Sequence, residues 1–268
     1  MTGHVVSRDG TRIAYDSSGS GPALILVDGA LCSRAFGPGA QFARSLENDF
    51  TVYRYDRRGR GDSGDTQPYH SGKELEDLEA IVRHAGSPAT LLGLSSGAAL
   101  ALHAAAAGLP LARVLAYEPP YVQEGKAGAA DTAHETHLRQ LVSSGNRGAA
   151  VGYFMRDMVG APAFVPIMMR VCFWIWPKLV AVAHTLPYDA AVMTGFRVPR
   201  TSFATIATPV LVMNGTKTDP RLKAAARAVS DTIPGAILVE VAGQTHNVKP
   251  AALIAAAGTF LSSARVGR

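Results

Sequence analysis

Residue 95 is a serine in a segment whose pattern could place its hydroxyl at the start of a helix. Residues 93–97 read Gly-Leu-Ser-Ser-Gly, which matches the motif G-x-S-x-G. An apolar run too short for a helix precedes the motif, and an alanine-rich segment of high helix propensity follows it. This pattern predicts a strand, a sharp turn and a helix, and the glycines allow the crowded backbone of such a turn. Ser95 is the candidate nucleophile, and the unpaired backbone N–H of Ser96 could hold negative charge on a substrate oxygen.

His246 is the histidine whose position suits a general base. A serine hydroxyl is a poor nucleophile at neutral pH, so it needs an imidazole to take its proton and an acid to orient that imidazole. His246 lies in a glycine-containing loop directly after a late predicted strand. The other histidines lie in predicted edge, surface, helical or inserted segments: His4, His70, His84, His103, His134, His137 and His184. We therefore predict that His246 activates Ser95.

The elements that must position these residues alternate between strands and helices. An antiparallel edge hairpin is predicted at 4–15, around the turn-forming pair Asp9-Gly10. Further strands are predicted at 23–27, 50–55, 89–93, 112–117, 209–213 and 236–241. Besides the helix after Ser95, helices are predicted at 42–46, at 71–84, at 221–232 and at the end of the chain to about residue 261. This order predicts an α/β fold, with a mainly parallel eight-stranded sheet and helices on both faces.

The loops at the carboxyl ends of the strands are where the binding site is expected. In open α/β sheets the ligand crevice lies outside these strand ends. The loop 28–32, the serines at 95 and 96, and Glu118 all follow predicted strands. They are therefore candidates for the same site.

A segment between two sheet strands breaks the alternation. Residues 121–202 contain helix-like pieces rich in Met, Phe and Trp, punctuated by prolines. We interpret this segment as an inserted helical cap on a core formed by residues 1–120 and 203–268. Most of its large apolar residues would form a small core within the cap. We expect Phe154, Met158 and Trp174 to face the crevice, because a cap that closes must bury its underside.

The charge pattern argues against a nucleic-acid partner. The formal charge is +5 and the isoelectric point is near 9.4, but the basic residues are spread along the chain. Arg57, Arg58 and Arg60 form the one dense cluster, in a glycine-rich turn beside Asp56 and Asp62. We interpret this cluster as a solvated surface, because no basic stripe with interleaved aromatic residues accompanies it.

The cysteines and the apolar segments indicate the cellular environment in which the protein is expected. Cys32 and Cys172 show no metal-binding spacing and are expected to be free thiols in a reducing compartment. The first thirty residues lack a signal-peptide pattern, and the apolar region 158–183 is interrupted by prolines and charges. We therefore expect a cytoplasmic protein without membrane insertion, metal or cofactor.

Four segments, in this order and spacing, resemble the α/β-hydrolase superfamily, specifically its capped esterase-like and peroxidase-like members. They are Asp28-Gly29 after the first buried strand, the turn 55–63 (Tyr-Asp-Arg-Arg-Gly-Arg-Gly-Asp-Ser), the motif at 93–97 and the loop 243–246 (Gly-Gln-Thr-His). The similarity extends over nearly the whole chain. Capped epoxide hydrolases and haloalkane dehalogenases of this fold use an aspartate nucleophile, so Ser95 argues against both of those subfamilies.

The resemblance assigns further roles to the loop after the first buried strand. In this family the residue after the glycine donates an oxyanion N–H, which here is Ala30, with Ser96 as its partner. Gly29 and Leu31 of the same loop are expected to contact substrate. Many relatives have a histidine where this chain has Asp28, whose carboxylate could change the packing of the loop or repel an anionic substrate.

Two residues compete for the role of the acid. In the family the acid usually follows the late strand three residues after a glycine, and Thr218 occupies that position here. Asp219 is one residue further on, but Asp followed by Pro is also a typical helix start. Glu118 ends the strand after the nucleophile helix, a place from which some relatives supply the acid. Both residues remain candidates.

Together these residues predict a serine hydrolase. Ser95 would attack an ester, thioester or lactone of a hydrophobic small molecule, and water would release the acyl group. The same site could instead transfer the acyl group or close a ring in secondary metabolism. A non-catalytic ligand receptor of the same fold is the alternative from a different functional class.

Overall fold

The computed structural model describes residues 1–123, 132–162 and 164–262. Its apolar strands form one sheet of eight strands. The strands are β1 (Thr2–Val6), β2 (Arg12–Ser18), β3 (Ala23–Val27), β4 (Thr51–Tyr55), β5 (Ala89–Leu94), β6 (Leu111–Tyr117), β7 (Val210–Gly215) and β8 (Ile237–Val241). Their spatial order is β1-β2-β4-β3-β5-β6-β7-β8. The pairs β1–β2 and β2–β4 are antiparallel, and all other neighbours are parallel. The predicted α/β fold with a mainly parallel eight-stranded sheet is confirmed.

Helices cover both faces of this sheet, which explains why its central strands are apolar throughout. The helices α2 (Ser71–Ala85), α3 (Ser96–Ala106) and α10 (Pro220–Thr232) pack with Ile25, Leu91 and Val212 on one face. The helices α1 (Gly39–Leu46) and α11 (Pro250–Ser262) pack with Leu24, Leu92 and Leu211 on the other face. Because neighbouring strand residues point to opposite faces, both faces need apolar side chains.

Six helices are inserted between β6 and β7 in the described part of the chain. They are α4 (Ala133–Ser143), α5 (Arg147–Tyr153), α6 (Phe164–Val171), α7 (Trp176–Val182), α8 (Leu186–Val192) and α9 (Arg200–Phe203). A π-helical turn, Phe154–Met158, follows α5 directly. Leu138, Val151, Leu179 and Leu186 form a core of their own among these inserted helices. The domain boundaries stay a prediction, and residues 124–131 of the predicted cap lie outside the described residues.

The interpretation of the arginine cluster as a solvated surface is wrong. Arg57, Arg58 and Arg60 are each at most 2% exposed. Their carboxylate partners in the described chain are Asp9, Glu74, Asp77 and Asp189. Burial of a guanidinium is tolerated when carboxylates and hydrogen bonds replace its water. These partners are distant in sequence, so the local pattern could not reveal them.

The expectations about the cysteines, membrane insertion and location can be compared with the structure one by one. Cys32 and Cys172 are free thiols. Among the described helices none alone is long and apolar enough to cross a membrane, although Phe164–Val171 and Trp176–Val192 pass that test together across a bend of 108°. The cytoplasmic location stays a prediction.

Substitution of Gly97 tests the close approach of α3 to the sheet. A Cβ atom at Gly97 would clash with the Val27 carbonyl oxygen and lie 2.7 Å from the Asp28 carbonyl oxygen. Because both obstacles are backbone atoms, we expect Gly97→Ala to cost about 3 kcal/mol or more. Urea unfolding of the variant measures this loss.

Gly152→Ala is the matched control. Gly152 lies in α5, where an added Cβ would meet only the tip of the Arg170 side chain, at 3.9 Å. This variant should be as stable as the wild type or gain about 0.5–1 kcal/mol, because alanine favours helix. Equal stability of the Gly97 and Gly152 variants would contradict the proposed clash.

Candidate active site

Ser95 occupies a strained position between β5 and α3. Its φ is 54° and its ψ is −122°, and α3 begins at the next residue. A positive φ is unfavourable for a residue with a side chain, so the surrounding structure must hold it. The Ser95 N–H donates to the Tyr117 carbonyl oxygen at 2.9 Å, which fixes the turn to β6. A Cβ at Gly93 would lie 2.5 Å from the Gly97 carbonyl oxygen, so the predicted need for glycine at this turn is confirmed.

The side chain of Glu118 accepts a hydrogen bond from His246. The distance between Glu118 Oε2 and His246 Nδ1 is 2.6 Å. Glu118 follows β6, is fully buried, and also accepts hydrogen bonds from the Gly215 N–H at 2.8 Å and the Thr218 hydroxyl at 3.0 Å. These donors fix the carboxylate, which in turn fixes the ring of His246. With its Nδ1 proton engaged, the imidazole keeps Nε2 as the nitrogen that can accept a proton.

The loop that carries His246 is held by the loop after β7. The Lys217 N–H donates to the Gln244 carbonyl oxygen at 2.8 Å, and the Gly243 N–H donates to the Thr216 hydroxyl at 2.8 Å. The Tyr117 hydroxyl donates to the Thr245 carbonyl oxygen at 2.6 Å. The position of His246 at the carboxyl edge of the sheet therefore depends on one backbone contact and two side-chain hydroxyl contacts between neighbouring strand ends.

Asp219 is engaged at the start of α10. Its carboxylate accepts a hydrogen bond from the Arg221 N–H at 2.8 Å and pairs with the Arg221 guanidinium, also at 2.8 Å. These hydrogen bonds hold the pKa of Asp219 below its ordinary value. The structure thus brings Glu118 into contact with His246 and gives Asp219 the helix-capping position.

Ser95, His246, Ala30 and Ser96 line one cavity of about 250 Å³. Gly29, which was expected to contact substrate, is not among the residues that line the cavity, and a Cβ atom there would lie 3.2 Å from Ser95 Cβ. The two residues proposed as oxyanion donors therefore border the same space as the candidate nucleophile and base.

Phe154 and Met158 line the cavity, as expected of the inserted segment. The expectation for Trp174 is wrong, because its side chain is 58% exposed and stacks edge-on against Phe173 outside the cavity lining. Leu31 also lies elsewhere, since it is buried in the core of the inserted helices.

Other residues of the lining were missed by the sequence analysis. They are Pro120, Val122, Val159, Met193, Phe196, Lys217, Thr218, Arg221, Leu222 and Thr245. Those in the strand-end loops follow predicted strands, and this position alone could have identified them as candidates for the lining. Nothing local in the sequence marks Met193 and Phe196, because the path of the inserted helices decides which of their residues face inward.

Asp28 is the first residue of the loop that carries Ala30. It is 6% exposed and is not among the residues that line the cavity. Within the described chain, its Oδ1 atom has no hydrogen-bond partner. Burial raises the pKa of Asp28 to about 6, against the opposing charges of Arg60, Arg54 and Arg57. Asp28 therefore lies outside the space that a ligand in the cavity would touch.

The described residues contain no group of three or more His, Cys, Asp or Glu side chains that could hold a metal ion. The polar groups that border the cavity include the Ser95 hydroxyl, the imidazole of His246 supported by a carboxylate, and backbone at a helix start, and charged side chains of Lys217, Asp219 and Arg221 also line it. Such a set can transfer a proton and stabilise a developing oxyanion.

Residues 19–257 match the alpha/beta hydrolase family. The match covers most of the chain, so the protein belongs to this family and is an enzyme of the hydrolase type. An alpha/beta hydrolase from Sphaerobacter thermophilus is 45% identical, with a TM-score of 0.86 over 98% of this chain and 100% of that chain.

Two further relatives carry more specific names. N-formylmaleamate deformylase from Pseudomonas putida is 36% identical over 163 residues, which cover 59% of this chain and 58% of the deformylase. The match thus spans less than two-thirds of that relative. A thermophilic esterase from Thermogutta terrifontis, solved with malate bound, has a TM-score of 0.78 over 98% of this chain and 99% of its own. Its identity of 18% shows the shared fold alone.

Asp28→Asn tests the buried charge balance of the loop that carries Ala30. Because the folded state raises the pKa of Asp28 from 3.8 to about 6, ionisation of this group opposes folding. The opposing contribution is absent below pH 3.8, grows as the pH rises, and is complete above pH 6, where it amounts to about 3 kcal/mol.

The asparagine variant cannot ionise at this position, so its unfolding free energy relative to the wild type should rise between pH 4 and pH 7. Urea unfolding across this range measures the difference. A difference that stays constant with pH would show that Asp28 does not titrate in this way.

Proposed function

We propose that this hydrolase cleaves an ester, thioester or lactone of a hydrophobic small molecule through an acyl-enzyme on Ser95. The observation that supports this most directly is the 2.6 Å contact between Glu118 and His246 beside a cavity that Ser95 also lines. The strained backbone of Ser95 supports the same reading, since such strain is concentrated at functional sites. A serine and a histidine that border one cavity, with a buried carboxylate bonded to the histidine, are the components from which a serine hydrolase builds its catalytic triad.

In the proposed reaction, Ser95 Oγ attacks the substrate carbonyl while His246 Nε2 takes its proton. The Glu118 carboxylate holds Nδ1 and stabilises the imidazolium that forms. The backbone N–H groups of Ala30 and Ser96 hold the oxyanion, each contributing roughly two to three powers of ten in turnover. The tetrahedral intermediate collapses, His246 returns the proton to the leaving group, and water then releases the acyl group by the reverse sequence.

We also propose that the inserted helices act as a cap over this site. Phe154, Met158, Val159, Met193 and Phe196 supply an apolar wall to the cavity. An apolar wall favours a substrate whose acyl or alcohol group is hydrophobic. The name of the Pseudomonas putida relative adds N-formyl amides to the substrates that are worth testing.

Covalent labelling tests the nucleophile. A fluorophosphonate probe should label the wild type, and a short p-nitrophenyl ester should be turned over. Ser95→Ala should lose both signals, because the attacking oxygen is gone. Ser143→Ala, which removes a hydroxyl on α4 away from the cavity, is the control and should behave as the wild type. Label that persists in Ser95→Ala would assign the nucleophile to another residue. A wild type that shows neither labelling nor turnover would favour the alternative function, a non-catalytic ligand receptor of the same fold.

Glu118→Gln and Asp219→Asn separate the two candidate acids. Glu118→Gln keeps the shape of the side chain but removes the charge that holds the imidazolium, so kcat should fall by about three to four powers of ten. Asp219→Asn should change kcat less than about twofold, because asparagine is also a good N-cap. Acylation rates measured with the same ester decide between them. Full activity in Glu118→Gln combined with loss in Asp219→Asn would reverse the assignment.

A further inference from the structure

Asp189 is a buried carboxylate of the inserted helices that reaches the core of the protein. It lies in α8 and is 0% exposed. Its Oδ1 accepts hydrogen bonds from the Ser96 hydroxyl at 2.7 Å and from Arg57 Nη1 at 2.8 Å. Its Oδ2 accepts from Arg60 Nη2 at 2.6 Å. One carboxylate thus meets two arginines of the turn after β4 and the first residue of α3.

Both arginines also hold the loop that carries Ala30. Arg60 Nη1 donates to the Gly29 carbonyl oxygen at 2.8 Å, and Arg57 Nη1 lies 3.4 Å from the Asp28 carbonyl oxygen. Arg57 is held from its other side by two hydrogen bonds to Glu74, at 2.7 and 2.9 Å. The guanidinium groups therefore connect Asp189 to the backbone just before Ala30.

The bond from Arg60 to Gly29 has a directional effect on Ala30. The Gly29 carbonyl and the Ala30 N–H belong to one planar peptide unit, in which the two groups point in opposite directions. A hydrogen bond that fixes the carbonyl of Gly29 therefore also fixes the direction of the Ala30 N–H. On the other side of the site, the hydroxyl of Ser96 ties the residue that supplies the second N–H to the same carboxylate.

We propose that Asp189 is a positioning residue for the oxyanion hole, acting through Arg60 on Ala30 and directly on Ser96. This inference depends on the proposed serine hydrolase function. It gives the inserted helices a role beyond covering the cavity, because the two N–H donors are aligned only when α8 is docked. Asp189 does not line the cavity, so it acts without touching the substrate.

The charge state of Asp189 is consistent with this role. Burial raises its pKa, but the charges of Arg60 and Arg57 and the hydrogen bond from Ser96 outweigh burial and leave the pKa below its ordinary value. The group is therefore a carboxylate at neutral pH, able to accept from all three donors.

Asp189→Asn tests the proposal while preserving the size of the side chain. The amide can no longer balance two guanidinium charges, so the loop and Ser96 should shift by a fraction of an ångström. We expect kcat for the p-nitrophenyl ester to fall about 10- to 100-fold, with KM within about twofold of the wild type. Affinity for a boronic acid, whose tetrahedral adduct on the serine places an oxygen in the oxyanion hole, should fall in the same proportion. The pH dependence of kcat should not change.

Asp77→Asn is the matched control for the loss of a buried ion pair. Asp77 is 1% exposed and pairs with Arg58 of the same turn at 2.6 Å, but Arg58 makes its contacts with Asp9, Thr11 and α2 rather than with the loop of Ala30. Both variants should lose stability in urea unfolding, because each leaves a buried arginine with less opposing charge. Asp77→Asn should nevertheless keep kcat within about twofold.

Ser96→Ala keeps the experiment decisive if Asp189→Asn does not fold. It retains the backbone N–H and removes only the hydroxyl that reaches Asp189, so kcat and boronic acid affinity should fall together by about three- to tenfold while KM is kept. The proposal is overturned if the variant that folds keeps wild-type kcat, or if it changes KM alone. Wild-type labelling by a fluorophosphonate, measured in parallel, shows separately whether the serine hydrolase function holds.

Discussion

The rest of the structure depends on a cluster of buried charges around the turn after β4. Three arginines of one short turn are removed from water, which is costly unless each guanidinium is matched by carboxylates and carbonyl oxygens. Those partners come from α2, from the turn between β1 and β2, and from α8 of the inserted helices. The need to match these charges therefore brings the edge of the sheet, a core helix and the insertion to the same turn, and Arg57 and Asp189 also contact the hydroxyl of Ser96.

A second constraint is the common direction of the parallel strands. Because β3, β5, β6, β7 and β8 all run the same way, their following loops gather at one edge. Ala30, Ser95, Glu118 and His246 each follow one of these strands, and this explains how residues so distant in sequence border one site. The sequence indicated this much, since apolar runs and the glycines around Ser95 are local signals.

Features that depend on contacts between residues distant in sequence could not be predicted from local sequence patterns. From the sequence both Glu118 and Asp219 are candidates for the acid, and the contact with His246 and the capping bond to Arg221 distinguish them. The arginine turn was misjudged because Asp189 lies about 130 positions away. Trp174 was misplaced because apolar character alone does not tell which side of an inserted helix faces the cavity. In each case the local pattern does not contain the tertiary contacts that decide where the side chain lies.

The depth at which Asp189 sits limits how the insertion can be exchanged. A chimaera that carried the helices of another hydrolase on this sheet would leave Arg57 and Arg60 with unmatched charges unless the transplanted segment brought an anion to the same point. Residues that face the cavity, such as Met158 and Met193, balance no buried charge, so their side chains can vary. Divergence toward new ligands is thus expected to proceed by exchanging side chains on the inner wall while one acidic position is kept.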